Sequence, residues 1–280
     1  MPVAALMVAI ISIQYGSTFA KSLFPAVGAE GTTALRLVFG GLILAIFMRP
    51  WRARPSRKVL PALIGYGIIL AIMNLLFYSS LKTIPLGVAV ALEFCGPLLV
   101  AVLSSRRWVH FVWIGLAAAG ILLLSPLVPA DRPLDHRGVL FALGAGACWA
   151  LYIVFGQRAG RELGSQTSSI GTLLAAVLVL PVGLAHAGSA LFAPPILLSA
   201  AIVGLLCSAV PFYFEMIALM KMPARIYGTL TSLEPALGAV MGFVFLHEAL
   251  TPMQLAGIAA VVTAALGATL AYKTPVPLVD

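Results

Sequence analysis

Nearly the whole chain is a succession of apolar stretches about twenty residues long, separated by breaks too short to hold a folded soluble domain. A helix needs roughly 20 apolar residues, at about 1.5 Å rise each, to cross about 30 Å of hydrocarbon. Ten such stretches lie at approximately 3–23, 30–48, 59–80, 86–104, 108–126, 137–157, 167–186, 195–219, 228–246 and 252–272. Composition argues against the alternatives. Of 280 residues, 61% are hydrophobic and 9% charged, against about 25% charged in a soluble domain. So few polar side chains cannot cover an outside that faces water. A soluble enzyme, a nucleic-acid binder and a disordered chain all fit poorly, and the expected solvent is lipid.

The net charge of +8 would point to nucleic acid in a soluble protein. In a membrane protein Lys and Arg gather in cytoplasmic loops instead. Even-numbered connections and the C-terminal tail hold Arg49, Arg52, Arg54, Arg57, Lys58, Arg106, Arg107, Arg158, Arg161, Lys221, Arg225 and Lys273. The opposite side holds Lys21, Lys82, Arg132 and Arg137, which is 12 against 4, with Arg36 left inside a span. Both termini are therefore expected in the cytoplasm. One detail dissents: the N-terminus carries no basic residue, while Lys21 ends the first span on the outer side. That first stretch lacks a basic leader and runs straight into a second span, so it reads as a retained helix. Cys95, Cys148 and Cys207 stand singly in apolar runs, as small buried hydrophobes do. No disulfide framework, metal site or cofactor motif is indicated.

The two halves look related. Ser80-Leu81-Lys82-Thr83-Ile84-Pro85 leads into the fourth span, and Pro97 follows twelve residues after Pro85. Ala218-Leu219-Met220-Lys221-Met222-Pro223 leads into the ninth, and Pro235 follows twelve residues after Pro223. Leu92-Glu93 and Leu233-Glu234 precede the second prolines but are out of register with one another. The expected architecture is an all-α integral membrane protein of ten transmembrane helices. Residues 1–127 would form the first five-helix repeat and 137–273 the second. Five being odd, the second repeat must be inverted, and inverted repeats belong to transporters whose site lies near the bilayer midplane.

Polar groups inside the spans mark that site. An ionised side chain near the bilayer centre costs about 2.5–3.5 kcal/mol and usually faces a partner or a wet cavity. Arg36 and Glu93 lie at equal depth from the outer side, roughly 9–12 Å at about 1.5 Å per residue. They are either a structural bridge or contacts for substrate. Glu234 lies at similar depth from the other side with no basic residue in its own helix, so it can carry a proton or bond to backbone. Glu215 is expected to pair with Lys221 at the interface. Gln14, Tyr15, Asn74, Tyr78, Trp149, Tyr152 and Tyr213 are further cavity candidates, each alternatively a packing residue. Asn74 and Tyr78 share one helix face, as do Gln14 and Thr18, and Trp149 and Tyr152. Gly238 and Gly242 form a G-x-x-x-G, which permits close helix contact within the chain or across a dimer. There is no phosphate-binding glycine loop, and His247-Glu248 lacks the second histidine of a zinc protease helix. No nucleophile, base and acid can be grouped.

The ten spans, the odd-numbered halves and the proline spacing resemble the drug/metabolite transporter superfamily in its EamA-type branch. The residues that carry the likeness are Gln14-Tyr15-Gly16, Ala20-Lys21-Ser22-Leu23-Phe24-Pro25 and Thr33-Ala34-Leu35-Arg36-Leu37. They continue with Pro85 to Phe94, Ser104-Ser105-Arg106-Arg107, Ala142 to Ala150, Gly156 to Gly160, Glu215 to Leu219 and Glu234-Pro235-Ala236-Leu237. The resemblance implies a bacterial inner-membrane carrier that exports amino acids or related metabolites by alternating access, coupled to the proton gradient. Threonine and homoserine or aromatic amino acids are the implied substrates. On this reading the substrate carboxylate meets Arg36 or Lys21. Its ammonium meets Glu93, Glu234 or backbone carbonyls at proline-broken helix positions, and protonation of Glu93 or Glu234 supplies the coupling. A carrier of another metabolite or drug, an intramembrane enzyme and a channel are the alternatives. Monomer and homodimer are both open.

Overall fold

The computed structural model describes residues 2–96, 109–124, 134–214 and 231–271. Among these the regular structure is entirely helical. The α-helical segments are α1 (Pro2–Lys21), α2 (Phe24–Met48), α3 (Leu60–Ser80), α4 (Leu86–Glu93) and α5 (Val109–Leu123). They continue with α6 (His136–Leu163), α7 (Gln166–Ala187), α8 (Pro194–Gly204), α9 (Glu234–Leu246) and α10 (Pro252–Ala271). Six helical stretches are long and apolar enough to cross a membrane, and α5, α9 and α10 are shorter apolar helices. Pro97, the Lys221–Pro223 lead, Glu215, Arg225 and the basic residues at 106–107, 132 and 273 lie outside the described residues.

Local chemistry explains where these helices start and stop. Proline, whose missing N–H costs nothing in a first turn, stands at the first or second position of α2, α3, α8 and α9. Asp135 caps α6 by accepting the Gly138 N–H at 2.8 Å. Gly164 and Gly188, at φ +55°, end α6 and α7. Inside α2, Gly28 at φ +70° puts a kink one turn into the helix, and the Thr32 hydroxyl donates back to its carbonyl at 2.7 Å.

The principal helix pairings are α2 with α7, α3 with α6, α5 with α10, and α4 with α9. Helix α3 also packs on α7, α2 on α8, α4 on α6, and α1 on α8 and α9. Lipid is as apolar as leucine, so helices in it associate by close packing at small residues. A Cβ placed on Gly87 would fall 2.5 Å from the Ala239 backbone, and one on Gly146 would fall 2.7 Å from the Glu93 carbonyl. The G-x-x-x-G of α9 faces within the chain: a Cβ on Gly238 would meet Val90 and one on Gly242 would meet Leu86. Helix α3 shows how one segment serves two solvents. Ile64, Ile68 and Ile72 lie exposed along one face, where lipid would sit. Tyr66, Leu70, Asn74 and Tyr78, at the same four-residue spacing, are buried on the other.

The fourth and ninth apolar stretches differ from the continuous helices expected at 86–104 and 228–246. The helical ladder of α4 is interrupted at Phe94, and a turn at Ser232–Leu233 precedes α9. In register with the paired prolines, Phe94 and Ser232 are equivalent positions, 138 residues apart. Each interruption lies beside an acidic residue, Glu93 or Glu234.

Packing at these close approaches is testable. Gly146→Val should lower stability by about 1–3 kcal/mol, as overpacking does. Gly115→Ala, where a Cβ would meet nothing within 4 Å, should leave the unfolding temperature unchanged or slightly raised. Thermal unfolding of the purified protein in detergent compares the two. A second test uses the α6 cap. The Gly138 N–H holds the Asp135 carboxyl below its ordinary range. Its stabilisation is therefore present above the unfolded pKa, near about 3.9, and is lost as pH falls through the lower folded value. Asp135→Ala should lower the unfolding temperature at pH 7, by an amount that shrinks as the pH is taken below that range.

Candidate substrate cavity

A cavity of about 610 Å³ lies between the helices and is lined from α1, α2, α3, α4, α6, α7, the α8 stretch and the start of α9. This volume falls within the roughly 300–1,000 Å³ typical of small-molecule sites. Its inner part holds Gln14, Ser17, Arg36, Asn74, Tyr78, Glu93, Trp149, Ser208, Thr231 and Glu234. It then runs along α3 from Tyr78 to Tyr66, a distance of about 18 Å at about 1.5 Å per residue. The far part is lined by Tyr152, Gly156, Gln157, Gly160 and Gly164, and Gly164 is the residue that ends α6.

Arg36 is 8% exposed, and its guanidinium is held by neutral groups alone among the described residues. Nη1 donates to the Asn74 side-chain oxygen and Nη2 donates to the Cys207 carbonyl at 2.8 Å. The guanidinium carbon stands 5.2 Å from the centre of the Tyr78 ring, a cation–π contact. Nε has no acceptor there. Each partner is itself held. The Asn74 amide donates to the Leu70 carbonyl at 2.8 Å, which turns its oxygen toward Arg36. The Cys207 carbonyl is available because the residue four further on is Pro211, which has no N–H to donate back to it, and Leu205–Ala209 form a π-turn at the same place. Such a turn shifts the bonding by one residue and leaves carbonyls free for side chains. The neighbouring Leu206 carbonyl accepts from Ser12 of α1 at 2.8 Å.

Glu93 and Glu234 are both buried and both line the cavity. Glu93 has no ion-pair or hydrogen-bond partner among the described residues, so the direct Arg36–Glu93 bridge read from their equal depth is not formed. Aromatic rings complete the wall. Tyr66 and Tyr152 stack at 4.6 Å with their hydroxyls 2.7 Å apart, and Phe94 meets Trp149 edge-on at 5.7 Å.

The two ends of the bundle differ. The cavity reaches the end where α6 gives way to α7. Toward the end where α1 stops and α4 starts, Ala20, Leu81, Ile84, Leu86 and Val88 are packed to between 0 and 2% exposure. Over them lie the ion pairs Lys21–Glu248 at 2.6 Å and Lys82–Glu30 at 2.6 Å, with His186 3.5 Å from Glu30.

Residues 136–270 match the EamA-like transporter family. The chain is 50% identical to the threonine/homoserine exporter RhtA of Escherichia coli K12, over 98% of this chain and 92% of that protein. It is as similar to the exporter of the same name from Salmonella typhimurium LT2. An uncharacterized transporter of Bacillus subtilis, YwfM, is 28% identical over 81% of this chain and 79% of its own length. The fold is shared with a solved crystal structure at a TM-score of 0.63 and 22% identity, covering 95% of this chain and 98% of the other.

The chain belongs to the EamA-like transporter family.

It is accordingly a transporter and not an enzyme, and its apolar helices make it a multi-pass inner-membrane protein. Of the residues that sequence singles out in this EamA-like transporter, Gln14, Arg36, Asn74, Tyr78, Glu93, Trp149, Tyr152 and Glu234 share the cavity wall. Three stand elsewhere. Tyr15 is 40% exposed and meets Phe245 edge-on at 5.1 Å, Tyr213 is 52% exposed beside Phe214, and Lys21 is bound to Glu248. Thr18, on the Gln14 face, bonds its hydroxyl back to the Tyr15 carbonyl. The wall also contains Ser17, Tyr66, Gln157, Ser208 and Thr231, which sequence reading passed over. Tyr66 was within reach of it: the four-residue spacing joining Asn74 to Tyr78 extends back through Leu70 to Tyr66. The Cys207 carbonyl has no signal in its own side chain, but Pro211, four residues on, marks it as a carbonyl without a helical donor.

Asn74 can be tested as the holder of Arg36. Asn74→Leu leaves a buried guanidinium N–H without its acceptor and should cost about 1–3 kcal/mol of stability. Chemical unfolding of the purified transporter measures it, and Asn74→Gln should lose less.

Proposed function

We propose that this transporter exports α-amino acids, binding the substrate carboxylate at Arg36. The observation that carries this reading is a buried guanidinium surrounded by neutral ligands and open to a cavity that also contains two carboxyl groups. In a bilayer such a cation lacks its compensating charge, and the carboxylate of an amino acid supplies it. Glu93, on the same cavity wall and without an ion pair or hydrogen bond among the described residues, is the matching acceptor for the ammonium group. The hydroxyl and amide groups of Gln14, Ser17 and Thr231 suit a small hydroxylated side chain, and the curated relatives named as threonine/homoserine exporters agree with that substrate. The aromatic arm toward Tyr66 leaves room for larger amino acids. Tyr15, Lys21 and Tyr213 have no part in this site.

We further propose ten membrane spans in two inverted halves, residues 1–127 and 137–273. Helix pairing supports this. Exchanging the halves turns α2 on α8 into α7 on α3, turns α4 on α6 into α9 on α1, and maps α4 on α9 onto itself. The equivalent interruptions at Phe94 and Ser232 support it too. Both termini are assigned to the cytoplasm from the loop charges, so the open cavity end is the cytoplasmic one. Rocking of the halves then carries the bound amino acid outward. Glu234 or Glu93 takes up and releases the coupling proton.

Proteoliposomes preloaded with labelled threonine, homoserine and aromatic amino acids, with and without a proton gradient, test the function directly. Saturable, gradient-dependent release is expected. Arg36→Gln should raise the KM by at least about tenfold, because losing one partner of a buried charge pair costs about 2–5 kcal/mol. Glu93→Gln should reduce export without loss of folded protein, and unchanged export would remove Glu93 from the mechanism.

A further inference from the structure

We propose that Glu248 is the latch that keeps the cavity closed at the Lys21 end, and that the Lys21–Glu248 pair must break for the transporter to open there. This rests on the alternating-access reading above. The carboxylate of Glu248 holds three separate parts of the chain together. Oε1 accepts from Lys21 at the last residue of α1, at 2.6 Å. Oε2 accepts from the Leu86 N–H, the first residue of α4, at 2.7 Å. Glu248 itself lies in the short connection between α9 and α10, placed by the left-handed turn of His247 at φ +54°.

The position of this contact gives it a gating role. Directly beneath it are Ala20 and Leu86, part of the packed apolar layer that separates the cavity from this end. Ser17, on the cavity wall, is about one helical turn from Lys21 along α1. In the proposed division of the chain, Lys21 and Leu86 belong to the first half and Glu248 to the second, so both bonds cross the boundary along which the halves would separate. The neighbouring Lys82–Glu30 pair lies wholly within the first half and would ride with it. Both Lys21 and Glu248 are partly shielded from solvent, where charge-assisted bonds are stronger than at an open surface. One carboxylate with two such bonds can hold a closed state and release it as a unit.

The test is labelling of Ser17→Cys, in a background where Cys95, Cys148 and Cys207 are replaced by alanine. A membrane-impermeant thiol reagent is applied to right-side-out and to inside-out vesicles, and export is measured on the same preparations. With the latch intact, labelling should be fast from the Gly164 end and slow from the Lys21 end. Lys21→Met and Glu248→Gln each remove the ion pair, while a glutamine at 248 can still accept from the Leu86 N–H and keep α4 capped. Both should raise the labelling rate from the Lys21 end roughly fivefold or more, the effect of losing one to two kcal/mol from a two-state balance. An unchanged rate from that end in either variant, in protein that still exports, would overturn the latch. Loss of saturable export from the wild-type protein would instead overturn the transporter reading, so the two failures are distinguishable.

Discussion

A guanidinium buried among neutral groups in a membrane-embedded bundle is the feature around which the rest of this structure is arranged. Arg36 cannot be solvated by lipid, and its charge is not cancelled by any carboxylate in contact with it among the described residues. It is stabilised piecewise: an amide oxygen fixed by its own helix, a backbone carbonyl left without a helical donor by Pro211, and the face of a tyrosine ring. Each of these lowers the cost of the charge without neutralising it. On the proposed reading, the electrostatic balance of this site is completed by the carboxylate of the substrate, inside a cavity large enough to admit one together with a side chain. Moving a carboxylate into direct contact with Arg36 would satisfy the protein and abolish that demand. The absence of a direct Arg36–Glu93 bridge is therefore informative about function.

The scaffold makes this possible by packing its helices tightly right up to the cavity wall. Gly87 against Ala239, Gly146 against the Glu93 carbonyl, and Gly16 against Cys207 bring backbones together where side chains would hold them apart. Two glycines at the far end of α6 that line the cavity do the opposite, leaving space at Gly160 and Gly164. One end of the bundle is thus held by apolar packing under ion pairs, and the other is left open by missing side chains. An alternating-access cycle needs an asymmetry of this kind, with the closure made of bonds that can be broken without unfolding the helices.

How much of the site was legible depended on residue type. Arg36, Glu93 and Glu234 stand out because an ionisable group in an apolar run has few places to be other than a cavity or a partner. Asn74 and Tyr78 were legible as a face because i and i+4 stack on a helix. Tyr15 and Tyr213 carry the same chemistry as Tyr78 but point outward. Nothing local distinguishes them, because in a helix with lipid on one side and protein on the other both faces are apolar and the amphipathic signal vanishes. Lys21 was legible as an unusual charge, yet its partner Glu248 is 227 residues away. Equal depth offered a bridge between Arg36 and Glu93 as one of two readings, contact with substrate being the other. Depth fixes only one coordinate, and the rotations of α2 and α4 about their own axes decide the contact.

By itself, the sequence determined that this chain is helical and membrane-spanning, roughly where its apolar segments lie, and which polar residues had to be accounted for. These follow from backbone bonding, segment length and the cost of charge in hydrocarbon, all properties of a single segment. Tertiary structure alone decided which of those residues meet. It turned Arg36 toward Asn74 and the Cys207 carbonyl, committed Lys21 to Glu248, and closed one end of the cavity while leaving the other open. These depend on how each helix is rotated and how closely it approaches its neighbours. Both are set by interdigitation of small residues far apart in the chain, and no pattern within one segment records them.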